Sequence, residues 1–260
     1  MDLAGVLGAE FGPVELLAED GISQVFRGTG SAGPVAVKVC RWPAAGAGER
    51  FGAEVRRMTE LSAAGWLVPL LGSGFGPGGH AYVAMRVCAG GSIERYLPLP
   101  VTVACEVVAT VGRAVAALHE AGVVHGRITP RKILVERDGT PVLGLFGVGA
   151  VTAVPPHVVI DGKLSIAYLA PEIVHGHRPS ARADVYGLGA VLHGLITGAA
   201  PHAAASVLEE IELRREPVPA HPAVPDGLMS VIRRATRVEP GERYRDVAEL
   251  IGSVDQRRDG

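Results

Sequence analysis

The sequence predicts an α+β protein in two lobes, a small antiparallel sheet carrying one helix and then a larger, mainly helical part. Three observations predict it. Short apolar runs separated by turn residues fill the first third. Beyond Gly90-Gly91 the apolar residues change to helical spacing. Apolar residues make up 48% of 260 and charged ones 20%, which suits a folded chain with a substantial core.

Residues 12–40 read as three antiparallel strands, the third being Val35-Ala36-Val37-Lys38-Val39, dense in β-branched residues and holding one lysine. Phe51, Val55, Met58 and Leu61 are spaced by four, three and three, so 48–62 is a helix. Trp66 to Leu71 and Tyr82 to Val87 read as two more strands. Thr102 is placed to cap a helix whose face includes Val108, Val111, Val115 and Leu118 and which ends near Gly122. A loop from His125 to Lys132 leads to short strands at 133–135 and 142–143, and an irregular segment runs on to Glu172. Helices are expected at 182–198, 203–214, 226–237 and 243–254.

A net charge of −2 offers neither nucleic acid nor an anionic membrane an electrostatic reason to bind. Cys40, Cys88 and Cys105 are odd in number and far apart, so neither a disulfide framework nor a zinc site is expected. The start of the chain lacks the basic and apolar runs of a signal peptide. Prolines break up the two uncharged stretches, 141–160 and 186–208, so no membrane span is expected in either. The expected location is the cytoplasm, with the chain either on its own or as the cytoplasmic domain of a longer protein.

The order of the local motifs carries a resemblance. Val35-Ala36-Val37-Lys38 looks like a V-A-I-K strand, with Glu54 placed where a helix glutamate pairs with that lysine. His125-Gly126-Arg127-Ile128-Thr129-Pro130-Arg131-Lys132-Ile133-Leu134 stands for H-R-D-x-K-P-x-N-I-L, and Leu145-Phe146-Gly147 for D-F-G. Ala170-Pro171-Glu172 matches A-P-E, Asp184-Val185-Tyr186-Gly187-Leu188-Gly189 is similar to D-V-Y-S-L-G, and Glu239 to Tyr244 resembles a P-x-x-R-Y ending. Over nearly all its length the chain resembles the bacterial eukaryotic-like (Hanks-type) serine/threonine protein kinases, as a degenerate member. The resemblance implies a single two-lobed domain over 1–260, with 1–87 as the N-lobe and 88–260 as the C-lobe. It also implies a nucleotide pocket of Lys38, Glu54, Val25, Ala36, Met85 and Leu134, and structural roles for His125, Glu172, Asp184 and Arg243. The Lys38–Glu54 pair is expected as an ion pair, either holding nucleotide phosphates or bridging the lobe.

The departures fall on the chemistry. Phosphoryl transfer in such kinases uses a positioned base, metal ions held by an aspartate and an asparagine, and a glycine-rich loop over the phosphates. Here the base position is Arg127, the metal-binding positions are Leu145 and Lys132, and a catalytic-loop lysine has become Thr129. A positioned base contributes about 10²–10⁴-fold; an arginine cannot accept the proton, and leucine gives Mg²⁺ no oxygen. The glycine loop appears as Ala18-Glu19-Asp20-Gly21-Ile22-Ser23. Gly126 replaces an arginine that receives a phosphorylated loop, and only Thr152, Ser165 and Tyr168 remain as acceptors between 147 and 170. Ser165 stands at the place of a substrate-facing threonine.

The expectation drawn from these departures is a pseudokinase, not an enzyme. It would act as a protein-binding or allosteric regulator or scaffold in signalling, with an active kinase or a phosphopeptide-binding protein as partner. On that reading no cofactor is required and no metal is bound. Two others stand beside it: a weak or unconventional ATP-dependent serine/threonine kinase, and a nucleotide sensor in which Arg127 and Lys132 neutralise the phosphates of ATP or ADP without Mg²⁺.

Overall fold

A computed structural model describes residues 11–19, 23–31, 33–43, 48–76, 79–144, 166–204 and 206–257. The chain divides into two compact units; among the described residues the first ends at Ala89 and the second begins at Gly90.

The first unit is a five-stranded antiparallel sheet, β1 (Glu15–Glu19), β2 (Ser23–Gly30), β3 (Gly33–Pro43), β4 (Leu70–Gly76) and β5 (His80–Arg86), in the order β1-β2-β3-β5-β4. Side chains alternate between its faces. On one face Val35, Val37 and Val39 pack with Phe11, Phe26, Tyr82 and Ala84. Ala36 and Lys38 therefore point to the other. Helix α1 (Gly48–Ala63) buries Phe51, Met58 and Leu61, and Phe51 meets Phe75 of β4 with ring centroids 5.0 Å apart.

One expected strand is displaced. Residues 66–69 are not a strand: Pro69 lacks an amide donor, and Leu67 and Val68 turn inward to be buried. The strand is instead Leu70–Gly76, whose Gly72-Ser73-Gly74 is poor in strand formers. It forms because β5 supplies the partner along its length and Tyr82 lies against Gly74, where a Cβ would come within 2.8 Å of the tyrosine oxygen.

The second unit opens with β6 (Gly91–Ser92), then α2 (Val101–Glu120), β7 (Ile133–Val135) and β8 (Pro141–Leu143); the three strands form a small antiparallel sheet. There follow α3 (Pro171–Val174), α4 (Ala181–Thr197), α5 (Val207–Leu213), α6 (Asp226–Ala235) and α7 (Val247–Asp255). Thr102 does not cap α2: Pro100 precedes the helix without a side-chain bond, and Thr102 lies within the first turn. Gly122, in the left-handed region at φ +73, follows its end. By length and composition α2 is apolar enough to cross a membrane, yet Cys105, Val108, Val111, Val115 and Leu118 are buried inside this unit, where α2 packs on α4 and α7. Helix α5 is shorter than expected because Ser206 caps it, accepting the Glu209 N–H at 3.2 Å. Helix α7 starts late for the same kind of reason, with Asp246 accepting the Glu249 N–H at 2.8 Å. Arg243 is thus left in the extended chain before α7.

An α+β fold with an antiparallel N-terminal lobe and a mainly helical C-terminal lobe is the one the strand-then-helix pattern predicts.

Candidate functional site

The loop His125–Lys132 is held by a carboxylate beneath it. Asp184, in the first turn of α4, has a side chain fully shielded from solvent. Its Oδ2 accepts the His125 N–H at 2.9 Å and its Oδ1 the Gly126 N–H at 2.6 Å, while His119 Nε2 lies 2.8 Å from Oδ2. A buried carboxylate satisfied by three donors costs little to keep, and it fixes the backbone that donates. His125 Nδ1 in turn accepts the Arg127 N–H at 3.2 Å, so that nitrogen carries no proton. Gly126 has φ +72, and a Cβ there would sit 2.8 Å from the Pro179 side chain. Backbone and space together exclude an arginine at this point.

Ile128 and Pro130 anchor the loop by burial, while Arg127, Thr129 and Lys132 stay half-exposed. The Pro130 carbonyl accepts the Ser92 hydroxyl at 3.2 Å, and the Lys132 carbonyl accepts the Gly144 N–H at 2.7 Å. Leu134 stands on β7 opposite Ser92 and Val142. Leu145, with Asp20, Gly21, Ile22, Thr152 and Ser165, lies outside the described residues.

In the first unit Val25 pairs with Lys38, and Ala36 with Met85, so these four share one face of the sheet. Leu134 belongs to the second unit. Lys38 lies on β3 and Glu54 on α1, both partly exposed. Burial raises the Glu54 carboxyl, and the charge that opposes this is Arg57, one turn along the same helix.

Glu172 and Arg243 form a bidentate pair, Nη1 to Oε1 and Nη2 to Oε2 both at 2.7 Å. Arg243 also donates to the carbonyls of Arg182, Arg237 and Val238, and lies 5.0 Å from the Tyr186 ring centre. Sequence reasoning missed Arg214, which donates to the carbonyls of Leu169 and Ile166 from a buried position. Nothing in the sequence separates it from its exposed neighbour Arg215. It also missed His119, which helical spacing from Val115 does place on the buried side of α2. Tyr168 is half-buried, and a Cβ on Gly194 would lie 2.6 Å from its hydroxyl. Burial pushes that phenol up to about 12.

Two surface cavities, of about 500 and 470 Å³, lie elsewhere, at the end of α6 beside Arg233, Arg237 and Glu242. Cations there offset the negative end of the helix. Among the described residues no group of three or more histidines, cysteines or carboxylates is placed to hold a metal.

The clamped loop, the carboxylate under it and the Glu172–Arg243 tie define a protein kinase domain. The family of protein tyrosine and serine/threonine kinases matches residues 9–251, and the chain belongs to it. It is 33% identical over 243 residues to the DNA damage-responsive serine/threonine-protein kinase RqkA of Deinococcus radiodurans, covering 87% of this chain and 36% of that one. It is 32% identical over 257 residues to the serine/threonine-protein kinase PknL of Mycobacterium tuberculosis, covering 92% and 63%. A third relative, PkaA of Streptomyces coelicolor, is 33% identical over 191 residues, 65% of this chain and 35% of its own. The chain thus spans between about a third and less than two thirds of the length of these relatives.

These findings correct the expectation of a non-enzyme. Relatives matched over most of the chain are named as serine/threonine protein kinases, which points to a kinase enzyme. Arg127, Thr129 and Lys132 are facts of the sequence; inactivity does not follow from them.

Proposed function

We propose that the domain is an ATP-dependent serine/threonine protein kinase whose transfer chemistry is unconventional, with Arg127 at the base position and Lys132 at a metal-binding position supplying positive charge to the phosphates. Its acceptor is a serine or threonine hydroxyl of a protein, and its compartment the cytoplasm. The observation that carries this reading is the pair of N–H bonds from His125 and Gly126 to Asp184, which anchors the start of the cation-bearing loop.

Phosphoryl transfer passes through a loose transition state with charge spread over the phosphoryl oxygens, so positioning and electrostatics do most of the catalysis. The guanidinium of Arg127 and the ammonium of Lys132 act on those same charges. The bond from the γ-phosphorus to the ADP oxygen breaks as the acceptor oxygen bonds to phosphorus. With arginine at the base position, the hydroxyl proton is released to water. Lacking a positioned base, the reaction is expected to be slower than that of an ordinary kinase by about 10²–10⁴-fold. On the first unit, the shared face of Val25, Ala36, Lys38 and Met85 supports the nucleotide role that the family likeness assigns them.

The test is transfer from radiolabelled ATP to casein, with Mg²⁺ or with EDTA, by the natural chain, Lys38→Met and Arg127→Gln. Slow incorporation that survives EDTA and falls in both variants is expected. Incorporation strictly dependent on Mg²⁺ removes the role given to the two cations. No Lys38-dependent incorporation under either condition overturns the kinase reading.

A further inference from the structure

Arg214 ends α5 with its side chain turned into the second unit, only 3% exposed. Its Nη1 donates to the Leu169 carbonyl at 3.0 Å and its Nη2 to the Ile166 carbonyl, while Glu210 Oε2 lies 3.9 Å away. The Ile166 carbonyl also accepts the Leu169 N–H at 2.8 Å. Ile166 to Leu169 is therefore a four-residue turn, closed by its own hydrogen bond and gripped at both ends by one guanidinium. The planar fork of an arginine suits two carbonyls at fixed spacing; a lysine offers only one point of charge.

Two further contacts leave this stretch little freedom. Tyr168, inside the turn, occupies the notch that Gly194 leaves in α4. Three residues beyond the turn, Glu172 is bound twice by Arg243. The main chain from Ile166 to Glu172 is thus held at both ends, directly after Ser165, the position that the family likeness gives to a substrate-facing threonine. Ala167 and Tyr168 stay partly exposed between the two clamps.

We propose that Arg214 is a positioning residue for the acceptor polypeptide, holding the Ile166–Leu169 turn in the shape that an arriving peptide meets. The inference rests on the kinase reading above. Ordering a loose turn at the moment of binding draws on the binding energy, whereas a turn already held does not. Arg214 touches neither acceptor nor nucleotide on this account; it works through the backbone it grips.

Arg214→Gln and Arg214→Lys in the full chain test it through three readouts: amide exchange along the chain, the Kd for labelled casein measured without nucleotide, and the affinity for ATP. In Arg214→Gln, exchange across 166–175 and the casein Kd are each expected to rise by about tenfold, the scale of a lost charged hydrogen bond. Exchange in α2 and ATP affinity stay within about twofold of the natural chain, a factor small beside that loss. Arg214→Lys falls between the two. An unchanged casein Kd overturns the proposal, as does absence of casein binding to the natural chain. So does a joint loss of ATP affinity and of protection in α2, which marks a brace for the whole unit. If Arg214→Gln does not fold, Arg214→Lys carries the same three readouts. Failure of the natural chain to phosphorylate casein sinks the kinase reading alone; the casein Kd still decides the role of Arg214.

Discussion

Asp184, Arg214 and Arg243 are buried charges of the second unit, and each is compensated differently. Asp184 is met by two backbone N–H groups and an imidazole, and Arg243 by a carboxylate and three carbonyls. Breaking one side of a buried pair such as Glu172–Arg243 typically costs about 3–5 kcal/mol. Arg214 is the least compensated, since among the described residues its Nε has no hydrogen-bond partner and burial pulls its pKa down against the opposing influence of Tyr186 and Glu210. His202 lies in the same region. Burial first, then the charges of Arg214 and His193, bring its pKa from about 6.5 down to about 4. Folding therefore favours the neutral imidazole. That contribution to stability is whole above pH 6.5 and is lost as the pH falls through the interval toward 4. Replacing His202 by Gln is expected to flatten the fall in urea midpoint between about pH 7.5 and 3.5, a range bracketing that interval. Parallel curves for the two proteins would rule it out.

At the scale of elements, α4 organises the second unit. Every residue from Ala183 to Ile196 is buried, so the helix, apolar but for Asp184 and His193, needs neighbours on every side. Its glycines let them approach: Gly187 faces Ile128 of the catalytic loop, Gly189 faces Ala235 of α6, and Gly194 faces Tyr168. An alanine at 189 gains about 1 kcal/mol in helix propensity. It also drives a methyl into the Ala235 side chain and Cα, neither of which can swing aside, and overpacking of that kind costs about 1–3 kcal/mol. Gly189→Ala is therefore expected to lower the melting temperature. Gly252→Ala, on α7 where nothing lies within 4 Å, is expected to raise it. Equal effects at the two sites would show that close packing at 189 is not what requires glycine. The sequence located α4 to within a residue at either end, because Ser180 and Gly198 are ordinary start and stop signals. It misplaced β4, whose Gly72 and Gly74 are in a strand only because β5 and Tyr82 hold them there.

For the whole molecule, the nucleotide is the deciding ligand. Any compound that binds only the folded chain raises its melting midpoint, by about 2.7 kcal/mol in stability at a hundredfold excess over Kd. ATP is expected to raise the midpoint in EDTA as well as with Mg²⁺, because the charges of Arg127 and Lys132 are built into the chain. A folded protein whose midpoint neither ATP nor ADP moves, with or without metal, would dispose of nucleotide binding and of the proposed reaction with it.

Order along the chain was enough to establish the fold. Strand-forming runs before Gly90 and helical spacing after it follow from local propensity and period, which each stretch carries in itself. The same holds for the residue types at Arg127, Thr129, Lys132 and Leu145, since chemistry at a motif position is legible wherever the motif is. Only tertiary structure decided which charges are buried and with whom. It separated Arg214 from Arg215, gave Asp184 its three donors, and set the charge of Arg57 against the burial of Glu54. Desolvation and hydrogen-bond partners come from residues distant in the chain, and no local pattern encodes them.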